Sequence, residues 1–292
     1  LTLRHYQIFV AVCDAMNMTA AAESLFMSQP AVSQAIAELE KNYEVRLFER
    51  LSRKLYLTEA GEKLLGYARH MLRMNDDVEK DMKLLRESGT IRLGASVTVG
   101  AYVLPRLVSA FKEENRRTAV RVVEDNTRQI EHLIMTDQLD FGIVEGDTVS
   151  PDIVVHPLMD DELTLVCART HRFAGLSAVM PEELEKEDFI VREKGSGTRK
   201  TFEDTMALNG LSWREAWTCN NADTIRAAVA AGLGVSVISA RAVARDAASG
   251  LLCALPVKAL QFRRTFKIVY HKNKFLTVPM RKFMELCMKS RA

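Results

Sequence analysis

Cysteine is scarce and scattered. Cys13, Cys167, Cys219, Cys253 and Cys287 stand at least 34 residues apart. No CxxC and no Cys/His ligand spacing occurs, which excludes a disulfide framework and a metal site and predicts reduced, mostly buried thiols. No apolar run reaches the roughly 18 residues of a membrane span. The opening residues Leu1 to Tyr6 lack a charged segment followed by a long apolar one, so no secretory leader is expected. Excess charge is lacking too: 40 basic against 38 acidic residues leave +2. That balance points to neither nucleic acid nor an anionic membrane. The six histidines form no HxxxH pair, and no Gly-x-Ser-x-Gly elbow or assignable acid pair appears, so no catalytic set and no cofactor site is found. What is present is ordinary: 292 residues, 48% hydrophobic and 27% charged, enough for two globular domains in a cytoplasmic protein.

At the N-terminus, Leu3, Tyr6, Phe9, Val10, Cys13 and Met16 recur at steps of three and four, an amphipathic helix. Thr19 is the expected N-cap of a short Ala-rich helix over 20–26. Ser28 then caps a third, with Gln29 and Pro30 in its first turn, where a missing N–H costs nothing. Val32, Ile36 and Leu39 form its inner stripe, and Gln29, Ser33, Gln34 and Ala37 its outer face. Two short helices with a small, polar outer face on the second form a helix-turn-helix pattern. Gln can read an adenine edge, and Ser can contact any base. Next come two short strands around Ser52 and Arg53, a wing whose Arg50, Arg53 and Lys54 suit phosphate contacts. Periodicity alone leaves a plain helical bundle with a hairpin equally open.

The runs Thr19-Ala20-Ala21-Ala22-Glu23-Ser24-Leu25, Ser28-Gln29-Pro30-Ala31-Val32-Ser33, Leu39-Glu40, Leu47-Phe48-Glu49-Arg50 and Leu57-Thr58-Glu59-Ala60-Gly61 closely resemble the N-terminal domain of LysR-type transcriptional regulators. The departure is Gln34, where many members carry Arg or Lys. The resemblance implies a winged helix-turn-helix at 1–58, a linker and dimerisation helix at 59–89, and an effector-binding domain at 90–292. That domain would have two α/β subdomains like a periplasmic solute-binding protein, one of residues 90–161 and 267–292 and the other of 162–266. It also implies double-stranded DNA with an interrupted dyad as partner, a homo-oligomer built as a dimer of dimers, and RNA polymerase as a further partner. Residues 1–66 carry seven positive and eight negative charges. Few phosphate contacts per subunit mean weak monomer binding, so such a reader works as an oligomer.

Thr58 can cap a helix from Glu59 to about Ser88. Leu64, Ala68, Met71, Asn75, Val78, Met82 and Leu85 alternate steps of four and three, a heptad seam whose one polar member is Asn75. From Thr90 onward, short β-rich runs alternate with helical patterns. The strands include Ile91–Ala95, Leu163–Cys167 and Phe266–Tyr270, and the helices Gly100–Glu114 and Thr198–Leu208. That alternation predicts mainly parallel sheets. By the resemblance, the chain crosses to the second subdomain near Glu162 and returns near Phe266.

Open α/β sheets bind ligands beyond the carboxyl ends of their strands. Ser96 and Thr98 follow the first strand, and Thr127 precedes a helix. Gly195-Ser196-Gly197-Thr198 lies between a strand and a helix, where backbone N–H groups and two hydroxyls can meet an anion. Read alone, this tetrapeptide is equally a helix-capping turn. The resemblance places it across a cleft from Ser96 and Thr98, which makes a small-anion site. Glu145 ends a strand at that cleft. It repels a bare dianion but accepts a hydrogen bond from a protonated ligand, and an ion pair with Arg199 or a solvent-facing loop charge is the alternative. The run 191–199, with Arg192-Glu193-Lys194-Gly195-Ser196-Gly197-Thr198-Arg199, is similar to that of regulators of sulfur assimilation and carbon fixation. A protonatable sulfur oxyanion such as sulfite is the expected effector. The basic stretch from Arg263 to Arg291, nine positive charges against Glu285, reads as a solvated helix face. Two rival classes stay open: a small-molecule-binding protein or enzyme that carries a helix-turn-helix, and a regulator that ignores ligand.

Overall fold

The computed structural model describes residues 1–51, 54–83 and 89–290. The chain divides into two compact units. One is Leu1–Ser88 with Met135–Gln138 and Asn273–Phe275, the other Gly89–Ile134, Leu139–Lys272 and Leu276–Ala292. No helix among the described residues is long and apolar enough to cross a membrane.

The first unit begins with α1 (Leu3–Ala15), α2 (Met18–Ser24) and α3 (Gln29–Tyr43). Ile8, Phe9, Val12 and Cys13 of α1 meet Ala21 and Ala22 of α2 and Val32, Ala35, Ile36 and Leu39 of α3 in one buried cluster. Each large side chain so buried contributes about 1.5–3 kcal/mol. The cap of α2 differs from expectation. Asn17 holds that position, its Oδ1 accepting from the amides of Thr19 (2.8 Å) and Ala20 (3.2 Å). Thr19 is therefore already helical, because Asn17 sits in extended backbone two residues earlier and reaches the orphan amides first.

The hairpin β1 (Phe48–Leu51) and β2 (Lys54–Leu57) pairs antiparallel with Leu51 opposite Lys54. The expected phosphate contact Arg53 lies outside the described residues, as does Ser52 beside it. Glu40 ties α3 to the hairpin, its Oε1 accepting from the amides of Leu47 (2.8 Å) and Phe48 (3.3 Å). Helix α4 (Glu59–Lys83) follows, capped by Thr58, whose Oγ1 accepts from the Gly61 amide at 3.0 Å. A Cβ at Gly61 would stand 2.3 Å from the Leu47 carbonyl oxygen, so only glycine allows the helix this close to the wing. Along the heptad stripe, Leu64 and Ala68 pack into the unit's own core. Val78 and Met82 are exposed, at 49% and 72%. Leu85 and the expected helix end at Ser88 lie outside the described residues.

The second unit runs β3 (Thr90–Ser96), α5 (Val97–Tyr102), α6 (Leu104–Glu114), β4 (Ala119–Asp125), α7 (Thr127–Met135), β5 (Phe141–Val144) and β6 (Ile153–Ala168). It continues through α8 (Pro181–Leu184), β7 (Asp188–Arg192), α9 (Gly197–Leu208), β8 (Arg214–Cys219), α10 (Ala222–Ala230) and β9 (Ser236–Ser239). It closes with α11 (Ala240–Ser249), β10 (Leu252–Leu255), β11 (Phe262–His271) and α12 (Val278–Lys289). The single helix expected over 100–114 is two. Pro105 lies in the first turn of α6, where its ring cannot follow an unbroken helix.

The sheet is mixed, not mainly parallel. Its order is β10-β6-β11-β5-β3-β4, with β9 also on β6. Within it β3 pairs parallel with β4 and β5, while β6, β11 and their other neighbours run antiparallel; β7 and β8 form a separate two-stranded parallel sheet. The cause is two long strands that serve two cores. Leu158 of β6 and Phe266 of β11 lie in a core with Leu93, Phe111 and Phe283. Leu163 of β6 and Phe262 of β11 lie in another with Phe189 and Phe202. β6 and β11 are thus the two crossings between lobes, and a register shift between Phe266 and Lys267, opposite Met159 and Pro157, bends the pair at that point.

Candidate functional site

The outer face of α3 begins at Ser28, whose Oγ accepts from the Ala31 amide at 3.4 Å, with Pro30 in the first turn. Gln29 Nε2 donates to Ser33 Oγ at 2.7 Å, and Gln34 Nε2 donates to Glu38 at 3.0 Å. Glu38 also meets His5 Nε2 at 2.8 Å. The hydrogen bond from His5, then that from Gln34, holds the Glu38 carboxyl below its usual range. These pairs pre-orient the half-buried Gln29 and Ser33 and the exposed Gln34 along the outer side of α3. Arg50 and Lys54 are exposed on the hairpin, and Thr19 is exposed on α2.

In the second unit, Ser96, Thr98, Thr127, Glu145, Ser196 and Thr198 come together and are buried. Ser196 is the N-cap of α9, its Oγ accepting from the Thr198 amide at 3.2 Å. Gly195 turns with φ +94°, and its carbonyl accepts from the Arg128 amide at 3.4 Å. Thr127 Oγ1 accepts from the Gly146 amide at 3.2 Å. The approach is tight: a Cβ at Gly197 would lie 2.5 Å from the Gly146 nitrogen. Backbone of one lobe thus rests on backbone of the other, which a side chain at either glycine would prevent.

At the centre is Arg264 of β11, a residue expected on a solvated face. It is buried, with a side chain 3% exposed. Its Nη1 donates to Thr198 Oγ1 at 2.7 Å and lies 3.3 Å from Glu145 Oε1. Its Nη2 donates to Thr98 Oγ1 at 3.3 Å and pairs with Asp161 Oδ2 at 2.8 Å, and Nε donates to the same oxygen at 2.9 Å. Thr198 Oγ1 donates to Glu145 Oε1 at 3.1 Å. Burial by itself would raise the Glu145 carboxyl. The Arg264 charge, the Thr98 hydroxyl, the Arg192 charge and the Thr198 hydroxyl outweigh burial and hold it below the usual carboxylate range. The alternative pairing with Arg199 is replaced by this one. Arg199 donates instead to Glu203, Glu215 and the Arg192 carbonyl.

Two buried polar atoms here lack a hydrogen-bond partner among the described residues, Ser96 Oγ and Glu145 Oε2. The site therefore contains an internal carboxylate, a guanidinium, several hydroxyls, one acceptor to be satisfied and one hydroxyl to be engaged. Arg264, Asp161 and Gly146 were not found by sequence reasoning. Arg264 and Asp161 are cross-strand partners, a relation that only the β6–β11 register reveals. Among the described residues no cluster of three or more metal-ligating side chains occurs.

Comparison with known proteins follows this division. Residues 3–62 match the family described as bacterial regulatory helix-turn-helix protein, lysR family, and residues 86–292 match the LysR substrate binding domain. A probable RuBisCO transcriptional regulator of Cyanophora paradoxa is 30% identical over 292 residues, covering 97% of this chain and 90% of that protein. Among solved structures, a full-length OxyR variant from Pseudomonas aeruginosa superposes with a TM-score of 0.72 at 23% identity, over 99% of this chain and 94% of that one. The regulatory domain of Synechocystis CcmR in complex with 2-PG superposes with a TM-score of 0.65 at 27% identity, over 70% of this chain and 98% of that one. The relatives are named as regulators and not as enzymes, and with a helix-turn-helix and a LysR substrate binding domain in order, the chain belongs to the LysR family of transcriptional regulators.

Proposed function

We propose that this regulator responds to a small, singly protonated oxyanion, sulfite as hydrogen sulfite, bound in the cleft around Thr98, Glu145 and Thr198. The carrying observation is a pair of buried, unpartnered atoms, Ser96 Oγ and Glu145 Oε2, the second on the carboxylate that pairs with Arg264. A buried acceptor without a partner costs about 1–3 kcal/mol. A ligand that donates a hydrogen bond to Glu145 and accepts one from Ser96 recovers that cost, whereas a bare dianion meets the Glu145 charge. The 2-PG complex of CcmR supports a small-molecule effector for this domain type. Gly195, Ser196, Gly197 and Thr127 supply the backbone and hydroxyls that close the lobes on it.

The output is DNA binding. Paired winged helix-turn-helix domains of residues 1–58, joined through helices of 59–89 in a dimer of dimers, grip an interrupted dyad. Thr19, Ser28, Gln29, Pro30, Ser33 and Gln34 face the operator from the helix-turn-helix, and Arg50, Arg53 and Lys54 contact phosphate. Ligand bound in the 90–292 domain at about 100 times its dissociation constant contributes roughly 2.7 kcal/mol, enough to bias a near-balanced equilibrium. Calorimetric titration of the full chain with sulfite, sulfate, phosphate and small carboxylates tests the reading. Sulfite is expected to bind saturably, more weakly as rising pH removes its proton, and Thr198→Ala is expected to lose it. Absence of saturable sulfite binding overturns the effector assignment.

A further inference from the structure

The cysteines scattered along the sequence include one pair that the fold brings together. β10 lies antiparallel to β6 in a register that sets Leu252 across from Ala168 and Cys253 directly across from Cys167. Opposed residues of an antiparallel pair have Cα atoms about 4.5 Å apart in one kind of pair and about 5.5 Å in the other. Both values fall within the roughly 4.4–6.8 Å that a disulfide spans. The two thiols also share a face of the sheet. Leu163, Leu165 and Cys167 alternate into the core of Phe189 and Phe202, and Leu255 and Cys253 pack on that same core. Val166 and Leu252, the residues between, pack on the other face with Ile190 and Ile225. Cys253 is a hydrogen-bonding neighbour of the Cys167 thiol. All five cysteines are free thiols, and Cys13, Cys219 and Cys287 each belong to a different core.

Exposure gives the two thiols different roles. β10 is the outer strand of the sheet, and Cys253 on it is half-buried, whereas Cys167 is fully buried. A molecule arriving from solvent meets Cys253 first. Burial, then the neighbouring Cys253, pushes the Cys167 thiol up to about 12, which makes it a poor attacker of anything but a sulfur held against it. Cys253 once joined to a second sulfur is such a target.

We propose that Cys167 and Cys253 are a dithiol modification site that exchanges with a small disulfide and closes to a reversible bond between β6 and β10. The site is independent of the cleft and of its effector. Cys253 loses its proton to solvent, and its sulfur attacks one sulfur of the small disulfide. That S–S bond breaks, and the leaving thiolate takes up a proton. Cys167 then loses its proton to solvent, its sulfur attacks Cys253 Sγ, and the second small thiolate departs and is protonated. Two protein thiols have given up two electrons, and one small disulfide has become two thiols. The probe is oxidised glutathione, incubated with the full chain. Remaining thiols are blocked with iodoacetamide, and peptides are mapped by mass spectrometry without reduction. A linked Cys167–Cys253 peptide is expected, released by dithiothreitol, with Cys13, Cys219 and Cys287 still alkylated. Cys167→Ala removes the resolving thiol and should accumulate the glutathione adduct at Cys253. Cys253→Ser should carry neither link nor adduct at Cys167. Closing the chain between positions 167 and 253 should raise Tm by about 5 °C or more. Absence of the linked peptide from the parent protein overturns the site, whatever the variants do. So does a glutathione adduct that persists at Cys253 in the parent, a link that forms only in urea, or a linked protein with a lower Tm, which would mean that the strands must move to make the bond.

Discussion

Arg264→Gln removes the cation at the centre of the cleft and leaves Glu145 and Asp161, both buried, without its charge. Breaking one side of a buried ion pair costs about 3–5 kcal/mol, because the surviving charge stays desolvated. In a domain of about 200 residues each kcal/mol shifts Tm by roughly 2–4 °C, so a fall of about 6–20 °C is expected. The pH dependence gives a second reading. In the parent protein the Glu145 carboxyl is held below its usual range, so its stabilising contribution is present above the unfolded value and is lost as pH falls through the depressed one. Without Arg264, burial dominates and the carboxyl rises. A carboxyl raised in the folded state favours folding as pH falls. The gap between parent and variant should therefore be widest near about pH 7 and narrower near about pH 5. Differential scanning calorimetry of the full chain at both values measures it. A loss under about 2 °C at neutral pH, or a gap that does not narrow in acid, would refute the charge-network argument.

Gly197→Ala puts a methyl group 2.5 Å from the Gly146 nitrogen and 2.7 Å from its Cα, so it should cost about 1–3 kcal/mol in thermal denaturation. Gly175→Ala, with nothing within 4 Å, is the matched control and should change little. Asn17→Ala removes the acceptor for two helix-start amides and should destabilise α2 by about 1 kcal/mol, seen as faster amide exchange at 19 and 20. Asn75, half-buried, donates to Glu79 at 3.4 Å and is the polar member of the expected heptad stripe on α4. Asn75→Leu should strengthen self-association in sedimentation at the expense of register; unchanged sedimentation and melting would remove it from the seam.

Much of the reader unit was legible because its signals are short-range. Ser28, Pro30 and the stripe Val32, Ile36 and Leu39 announce α3 within a dozen residues, and Thr58 announces α4. The cap of α2 was misplaced by two residues because Asn17 and Thr19 are both good caps, and backbone conformation chooses between them. β8 was missed because five of its six residues are exposed and carry no alternation. The first half of β6 was missed because Pro157 and paired acids interrupt its pattern. The hydroxyls of the cleft were readable as helix-start residues after strands. Their partners were not.

By itself the sequence determined what depends on neighbours a few positions away: helix periods, caps, the tight turn at Gly195 and the family likeness carried by contiguous motifs. Which charges meet was decided by tertiary structure alone. Arg264 sits in a run of basic residues that looks solvated. It is buried because β11 lies antiparallel to β6, which brings Arg264 opposite Asp161 and within reach of Thr98, 166 positions earlier in the chain. No local pattern encodes that separation. The same register brings Arg264 to Glu145, whose carboxylate is held below its usual range with one oxygen, Oε2, left without a partner among the described residues.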